Sequence, residues 1–262
     1  MSRICPLYSG SSGNCTYLGG GKDGILIDAG VSCRKILSGL QQIDVDPGQI
    51  RAILVTHEHT DHIKGLRILL KKLPVPVYGS RETLEYIEQN DLVPPTAELR
   101  EIADTMEIAR MEITPFDTSH DCAHSLGFRI HMADDRLVGY ATDTGCITDA
   151  VDRGLSGCDV VVLESNYDRG MLQSGRYPYH LKRRIASPKG HLSNEDCATQ
   201  IARLVKSKAT RFILAHLSRE NNLPDIAYQS SLSQLLLEQM KPGIDFTLDV
   251  ASRYEVSRML TF

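Results

Sequence analysis

Between positions 57 and 62 the chain reads His57-Glu58-His59-Thr60-Asp61-His62, which puts three imidazoles and the carboxylate of Asp61 within six residues. Imidazole and carboxylate are borderline-to-hard donors that suit Zn, Mn or Fe. His57 and His59 are two apart, so an extended segment turns both to one side and toward one ion. Asp61 and His62 fall where a helix should begin, and the turn there can aim them at a second ion nearby. Surface histidines ahead of a helix are the blander reading, but they do not account for this density directly after the apolar run Ile53-Leu54-Val55. A mononuclear structural site usually closes with four ligands, and this chain offers more.

The elements that must position these residues show in the hydrophobic pattern. Ile25-Leu26-Ile27, Ile53-Leu54-Val55, Val160-Val161-Val162-Leu163 and Phe212-Ile213-Leu214-Ala215 are too short for helices and end in polar residues, as buried strands do. Glycine-punctuated strands are expected near 14–28, with further ones near 111–117, 126–131 and 136–141. Ile63, Leu66, Leu70 and Leu73 mark one helix face. Cys197, Ile201, Leu204 and Val205 mark another, with Ser193 as its N-cap and Asp196 completing a capping-box-like pattern. A third helix is expected from Ile226 to Met240. Clustered strands with helices between them indicate a layered α/β protein. Asp28, His57, Asp143, Glu164 and His216 each come just after a strand, where rigid elements can aim loop residues at one point.

Composition excludes several classes. The 262 residues carry a net charge of −4, so bulk electrostatics do not favour nucleic acid, and any such contact needs a local basic patch or bound cations. No apolar stretch is long enough to span a membrane, and the N-terminus lacks the features of a signal peptide. Seven scattered cysteines, an odd number with no C-x-x-C pair, argue against a disulfide framework or a thiolate cage and for a reducing cytoplasm. Cys122, beside a candidate ligand, leaves room for a local role.

The H-x-H-x-D-H segment following a strand resembles the signature of the metallo-β-lactamase superfamily, and the likeness extends along nearly the whole chain. Leu26-Ile27-Asp28-Ala29-Gly30, Ser119-His120-Asp121, Ala141-Thr142-Asp143-Thr144-Gly145 and Leu214-Ala215-His216-Leu217 resemble its other motifs. The resemblance implies a single domain over 1–262, folded as a four-layered αββα sandwich of two mixed β-sheets flanked by helices. It implies two divalent ions, Zn or Mn before Fe. His57, His59 and His120 would hold the first ion, and Asp61, His62 and His216 the second. Asp143 would lie between the ions, and Asp28 would orient the histidines from behind. Asp61 and His191 are the expected catalytic residues, His191 as general acid. His124 competes with His120 but lacks the matching context, and His131 reads as structural.

The branch is set by smaller features. A Glu in place of His59 would mark the flavodiiron relatives, and true β-lactamases generally lack the equivalent of His62. The stretch from Glu164 to His191 is too short for the extra domain of the β-CASP nucleases, and no glycine/proline-rich arm of the tRNA-processing relatives is evident. Ser9-Gly10-Ser11-Ser12-Gly13-Asn14-Cys15, Glu164-Ser165-Asn166-Tyr167-Asp168 and Gly190-His191-Leu192-Ser193-Asn194 together resemble the YycJ (WalJ) group of bacterial DNA exonucleases, although that group has His where this chain has Tyr167. The expected reaction is therefore phosphodiester hydrolysis, as a 5′-to-3′ DNA exonuclease. Ser12, Asn14, Asn166, Ser193 and Asn194 are candidate substrate contacts, and the helix start at 193–194 and the basic run Lys182-Arg183-Arg184 are candidate phosphate sites. Two alternatives are a hydrolase of a cyclic phosphodiester, lactone or thioester on the same centre, and a non-catalytic regulatory protein stabilised by metal.

Overall fold

The computed structural model describes residues 1–262. The first half supplies β1 (Ser2–Tyr8), β2 (Cys15–Gly20), β3 (Asp23–Ile27), β4 (Ile50–Leu54), β5 (Val77–Gly79) and β6 (Leu99–Glu101) to one sheet. The second half supplies β7 (Met106–Ile108), β8 (Met111–Asp117), β9 (Leu126–His131), β10 (Leu137–Ala141), β11 (Val160–Glu164), β12 (Arg211–Ala215) and β13 (Thr247–Val250) to the other, and β14 (Leu260–Thr261) returns to pair with β1. Each sheet is mixed, its early strands antiparallel and its later strands parallel. The parallel steps need crossovers, which are where the helices lie.

The apolar runs are continuous because both faces of these strands are buried. Ile25 and Ile27 of β3 point between the sheets, where they join Phe128, Ile130, Val160 and Val162, while Leu26 points outward. On that outer face α1 (Cys33–Gln42), α3 (Leu66–Lys72) and α4 (Arg81–Gln89) cover the first sheet. On the far side Val161 and Leu163 meet α5 (Asp149–Leu155), α8 (Asn194–Lys206) and α9 (Pro224–Leu237). The result is the expected αββα sandwich. Three short helices, α2 (Thr60–Ile63), α6 (Arg169–Ser174) and α7 (Tyr179–Ile185), lie in loops after strand ends.

Two expectations shift in detail. The single helix face from Ile63 to Leu73 is split between α2 and α3, because Gly65 packs where a Cβ would stand 1.9 Å from the carbonyl oxygen of Val31. The third helix starts at Pro224, two residues early, and ends at Leu237. Ser193 caps α8 as expected, its hydroxyl accepting from the Asp196 N–H.

Asp159 ties the second sheet together at the start of β11. Its carboxylate accepts from the Leu137 N–H at 2.9 Å and lies 3.4 Å from Arg136 and 3.2 Å from Lys208. Partial burial opposes its charge, but these donors prevail and hold its pKa below the ordinary 3.8. A depressed carboxylate stabilises the fold above its unfolded pKa, and that contribution disappears as pH falls through the folded value. Asp159→Asn should therefore cost about 1 kcal/mol at neutral pH, with the deficit closing as pH falls below the ordinary 3.8 and through the folded value. Urea unfolding of both proteins at neutral and acidic pH checks this, and a deficit independent of pH would contradict it.

Candidate metal centre

The five strand-end residues converge on one edge of the sandwich. Asp28 directly follows β3, His216 directly follows β12 and Asp143 lies two residues beyond β10, with φ of 62°, 54° and 54° respectively. This left-handed conformation is uncommon for residues other than glycine, although Asp, Asn and His tolerate it best. It costs on the order of 1–3 kcal/mol per residue and recurs at functional sites. Here it turns each chain sharply off its strand and brings three buried polar side chains together.

Three histidines are held from behind by one ring nitrogen, leaving the other free to point inward. His62 Nδ1 donates to Asp28 Oδ2 at 2.7 Å with both side chains fully buried. Thr56 Oγ1 donates to Asp28 and so accepts from His57 Nδ1–H at 3.0 Å. His120 Nδ1 donates to the Gly190 carbonyl at 2.8 Å. Such partners fix tautomer and ring orientation, as they do behind metal-ligating imidazoles. His57, His59 and His120 bring nitrogens within 4.8 Å of one another, and so do the donor atoms of Asp61, His62 and His216.

Asp143 stands between these groups. Its Oδ1 lies 3.7 Å from His120 Nε2, while its Oδ2 lies 3.2 Å from His62 Nε2 and 2.9 Å from His216 Nδ1. Despite that proximity, Asp143 Oδ2, His57 Nε2 and both nitrogens of His216 are buried without an aligned hydrogen bond. Buried polar atoms are ordinarily satisfied. Four orphaned atoms in one pocket, all of metal-ligating type, fit divalent cations. The electrostatics agree. Burial, reinforced by neighbouring imidazoles, pushes the His57 pKa well down, which keeps a lone pair available. Burial also opposes charge on His62, but Asp28, Asp143 and Asp61 outweigh it and raise its pKa. His216 is raised likewise, by Asp143 foremost. Asp143 is held well below the usual range, its burial outweighed by His216 and His62. The raised pKa values of His62 and His216 favour positive charge beside these carboxylates.

The surrounding loops pack closely. The Asn14 side chain donates to Asp61 Oδ2 at 3.3 Å and lies 3.1 Å from His62 Nε2, while its own carbonyl accepts from the Gly10 N–H. Gly30 makes room for this turn, since a Cβ there would fall 1.6 Å from the Asp61 carbonyl oxygen. Asn14 therefore sits beneath the site and not at its entrance, which corrects its expected role as a substrate contact.

Ser193 and Asn194 need the same correction. Both are fully buried, Ser193 capping α8 and Asn194 bonded to Ser165 and Asn222. The start of α8 cannot receive phosphate through these two residues, because the Asn194 N–H already donates to the Tyr167 carbonyl and the Ser193 hydroxyl to Asp196 Oδ2. Asn166 is buried too and donates to the His216 carbonyl, and its edge lines a small cavity. Ser12 alone of the five is exposed. His124 lies apart from the cluster, between Glu82 and Asp117, and His131 faces solvent near Asp135. The Cys122 thiol is pushed up to about 12 by burial, foremost, which makes it a poor nucleophile.

Glu164 has a role the sequence did not assign. Wholly buried, it accepts from His191 Nδ1 at 2.7 Å through Oε1 and from the Thr144 N–H at 2.8 Å through Oε2. Burial opposes the charge on His191, yet Glu164 outweighs it and raises the imidazole pKa. The signal was present, since Glu164 is one of the five strand-end residues, but its partner lies 27 positions away. His191 lines a cavity of about 170 Å³ with Asp121, Arg184 and Asn166.

This fold and donor set match a known class. Residues 24–217 match the family model described as the beta-lactamase superfamily domain, and the chain belongs to that superfamily. It is 36% identical over 244 residues to exodeoxyribonuclease WalJ of Streptococcus pneumoniae, covering 92% of this chain and 90% of that protein. It is 37% identical over 235 residues to exodeoxyribonuclease YycJ of Bacillus anthracis, covering 89% and 88%. The crystal structure of the metallo-β-lactamase fold protein YhfI from Bacillus subtilis superposes with a TM-score of 0.71 at 18% identity, over 98% of each chain.

Asp28→Asn retains the shape and the left-handed backbone but removes the charge behind His62. We expect the fold to persist and divalent-metal affinity to drop by about 10–100-fold, measured by competition against a chromogenic chelator. Unchanged affinity would show that Asp28 does not act through His62.

Proposed function

We propose that the chain is a divalent-metal-dependent phosphodiesterase that degrades DNA as an exonuclease in the 5′-to-3′ direction. One observation carries the two-ion form of this reading: the two oxygens of Asp143 face different donor groups, Oδ1 toward His120 and Oδ2 toward His62 and His216. In this reading His57, His59 and His120 would hold one ion and Asp61, His62 and His216 the other, with Asp143 available to both. Histidine and carboxylate donors favour Zn or Mn, with Fe a third option. The shared inter-sheet core supports one domain over 1–262. Seven unpaired cysteines support a reducing, cytoplasmic setting, and no helix is long and apolar enough to cross a membrane. DNA as substrate is supported by the names and extensive similarity of the two bacterial relatives.

Bound divalent ions would supply Lewis-acid polarisation of a phosphoryl oxygen and an activated water. The chain's own residues do the rest. Asp28, Thr56 and the Gly190 carbonyl hold the imidazoles in one orientation, so little reorganisation is needed during reaction. Glu164 keeps a proton on His191 Nδ1 and leaves Nε2 as the nitrogen available to substrate. With its pKa raised, His191 is suited to protonate a departing alkoxide. Burial of Asp143, His57 and His216 keeps bulk water from screening these charges.

The protein loaded with Mn or Zn should release mononucleotides from 5′-phosphorylated DNA, and end-labelled strands report the direction. Turnover of a small ester with no cleavage of any nucleic acid would refute the proposal. Asp61→Ala should abolish cleavage and reduce bound metal as read by atomic emission. His191→Ala should slow cleavage by about 10²–10⁴-fold with metal content intact; loss of metal instead would make His191 a ligand.

A further inference from the structure

The 21 residues from Arg169 to Lys189 contain six Lys or Arg and no Asp or Glu, in a chain whose net charge is −4. Arg169 is committed to Asp196 and Glu195, and Arg184 to Asp121. Arg176, Lys182, Arg183 and Lys189 have no carboxylate partner, although Lys182 Nζ donates to the Gln173 carbonyl. An ordinary solvated helix interleaves charges of both signs; α7 does not.

Helix α7 also forms the wall between two cavities. Leu181, Arg184 and Ile185 line the small cavity that holds His191 and Asp121. Tyr179, Lys182, Arg183 and Ala186, on its other side, line a hollow of about 510 Å³, well within the range of small-molecule sites. The hollow includes Leu172 and Tyr167, both buried, and Gly145, which contributes no side chain and lies two residues beyond Asp143. It therefore lies about one helix diameter, ~10 Å, from the His191 cavity. Tyr179 is 75% exposed, an unusual state for an aromatic with no structural duty, and the Arg183 guanidinium carbon stands 5.9 Å from its ring centre. A sequence-tolerant site for unpaired nucleic acid needs an exposed aromatic for a base and unpaired cations for its phosphate.

We infer that the hollow beside α7 binds one unpaired nucleotide of the DNA substrate, its base stacked on Tyr179 and its phosphate against Lys182 and Arg183. This rests on the nuclease reading above and extends it. Tyr179 and Arg183 hold the strand, and His191 works on the opposite side of the same helix.

The test uses the metal-loaded protein and a fluorescein-labelled, phosphorothioate-protected single-stranded oligodeoxynucleotide, with binding followed by anisotropy across a salt series. Tyr179→Ala should weaken binding about 5- to 100-fold, and Tyr179→Phe should restore most of it. Arg183→Gln should also lower the slope of log affinity against log salt by about 0.7, the share of one phosphate contact, whereas Tyr179→Ala should leave that slope unchanged. Tyr86→Ala, which removes an exposed tyrosine on α4, should not alter binding. An oligonucleotide carrying 5-iodouracil should photocrosslink to Tyr179, mapped by mass spectrometry. If the wild type binds and cleaves DNA but both variants bind normally and the crosslink maps elsewhere, this inference fails and the nuclease reading stands. If the wild type neither binds nor cleaves DNA, both fail.

Discussion

A carboxylate buried away from water must be neutralised, and Asp28 is neutralised by His62. The pair has no exposed surface, and much of the site is hung from it. Asp28 Oδ1 also accepts from the Thr56 N–H, fixing the start of the loop after β4. Thr56 in turn sets the His57 ring. A single acid at the end of β3 thus orients two imidazoles of the next loop, so loss of its charge loosens several side chains together.

The same electrostatic logic runs through the whole cluster. Carboxylates and imidazoles that each resist burial are gathered where most of them are buried, only His59, Asp61 and His191 being partly exposed, and the arrangement is tolerable only with positive charge among the acids. The raised pKa values of His62 and His216 favour such charge, and divalent ions would provide more. Metal binding and proton release are coupled in such a centre. The local backbone shares in the cost, since Asp28, Asp143 and His216 all adopt left-handed φ. The sandwich bears this because both faces of its central strands are packed, and that rigidity keeps the inward-facing nitrogens on target.

Helix α7 shows how a short surface element can serve two chambers. Residues three and four apart share a helix face, so Leu181, Arg184 and Ile185 border the His191 cavity, where Arg184 reaches Asp121, while Tyr179, Lys182, Arg183 and Ala186 border the larger hollow. Gly190, just beyond α7, closes the connection: a Cβ there would meet the Arg184 and Ile185 carbonyls at 2.2 Å, and its own carbonyl anchors His120.

Much of this was legible in the chain alone. The donor types between His57 and His62, the buried runs and the polar residue after each run are local properties, so spacing and hydropathy reveal them. Recognition of the motifs extended that to His120, Asp143 and His216. What only the tertiary structure decided involves partners far apart in sequence. Asn14 lies 47 positions from Asp61, and Ser9 receives the backbone N–H of His216 across 207. No periodicity encodes such contacts. Asn14, Ser193 and Asn194 looked like substrate contacts because small polar residues in turns often are, yet burial commits their hydrogen bonds internally. Glu164 looked like one more strand-end acid until His191 was found against it. The residue types fix which chemistry is available to this protein; which atoms face one another was settled by how two sheets and their loops pack.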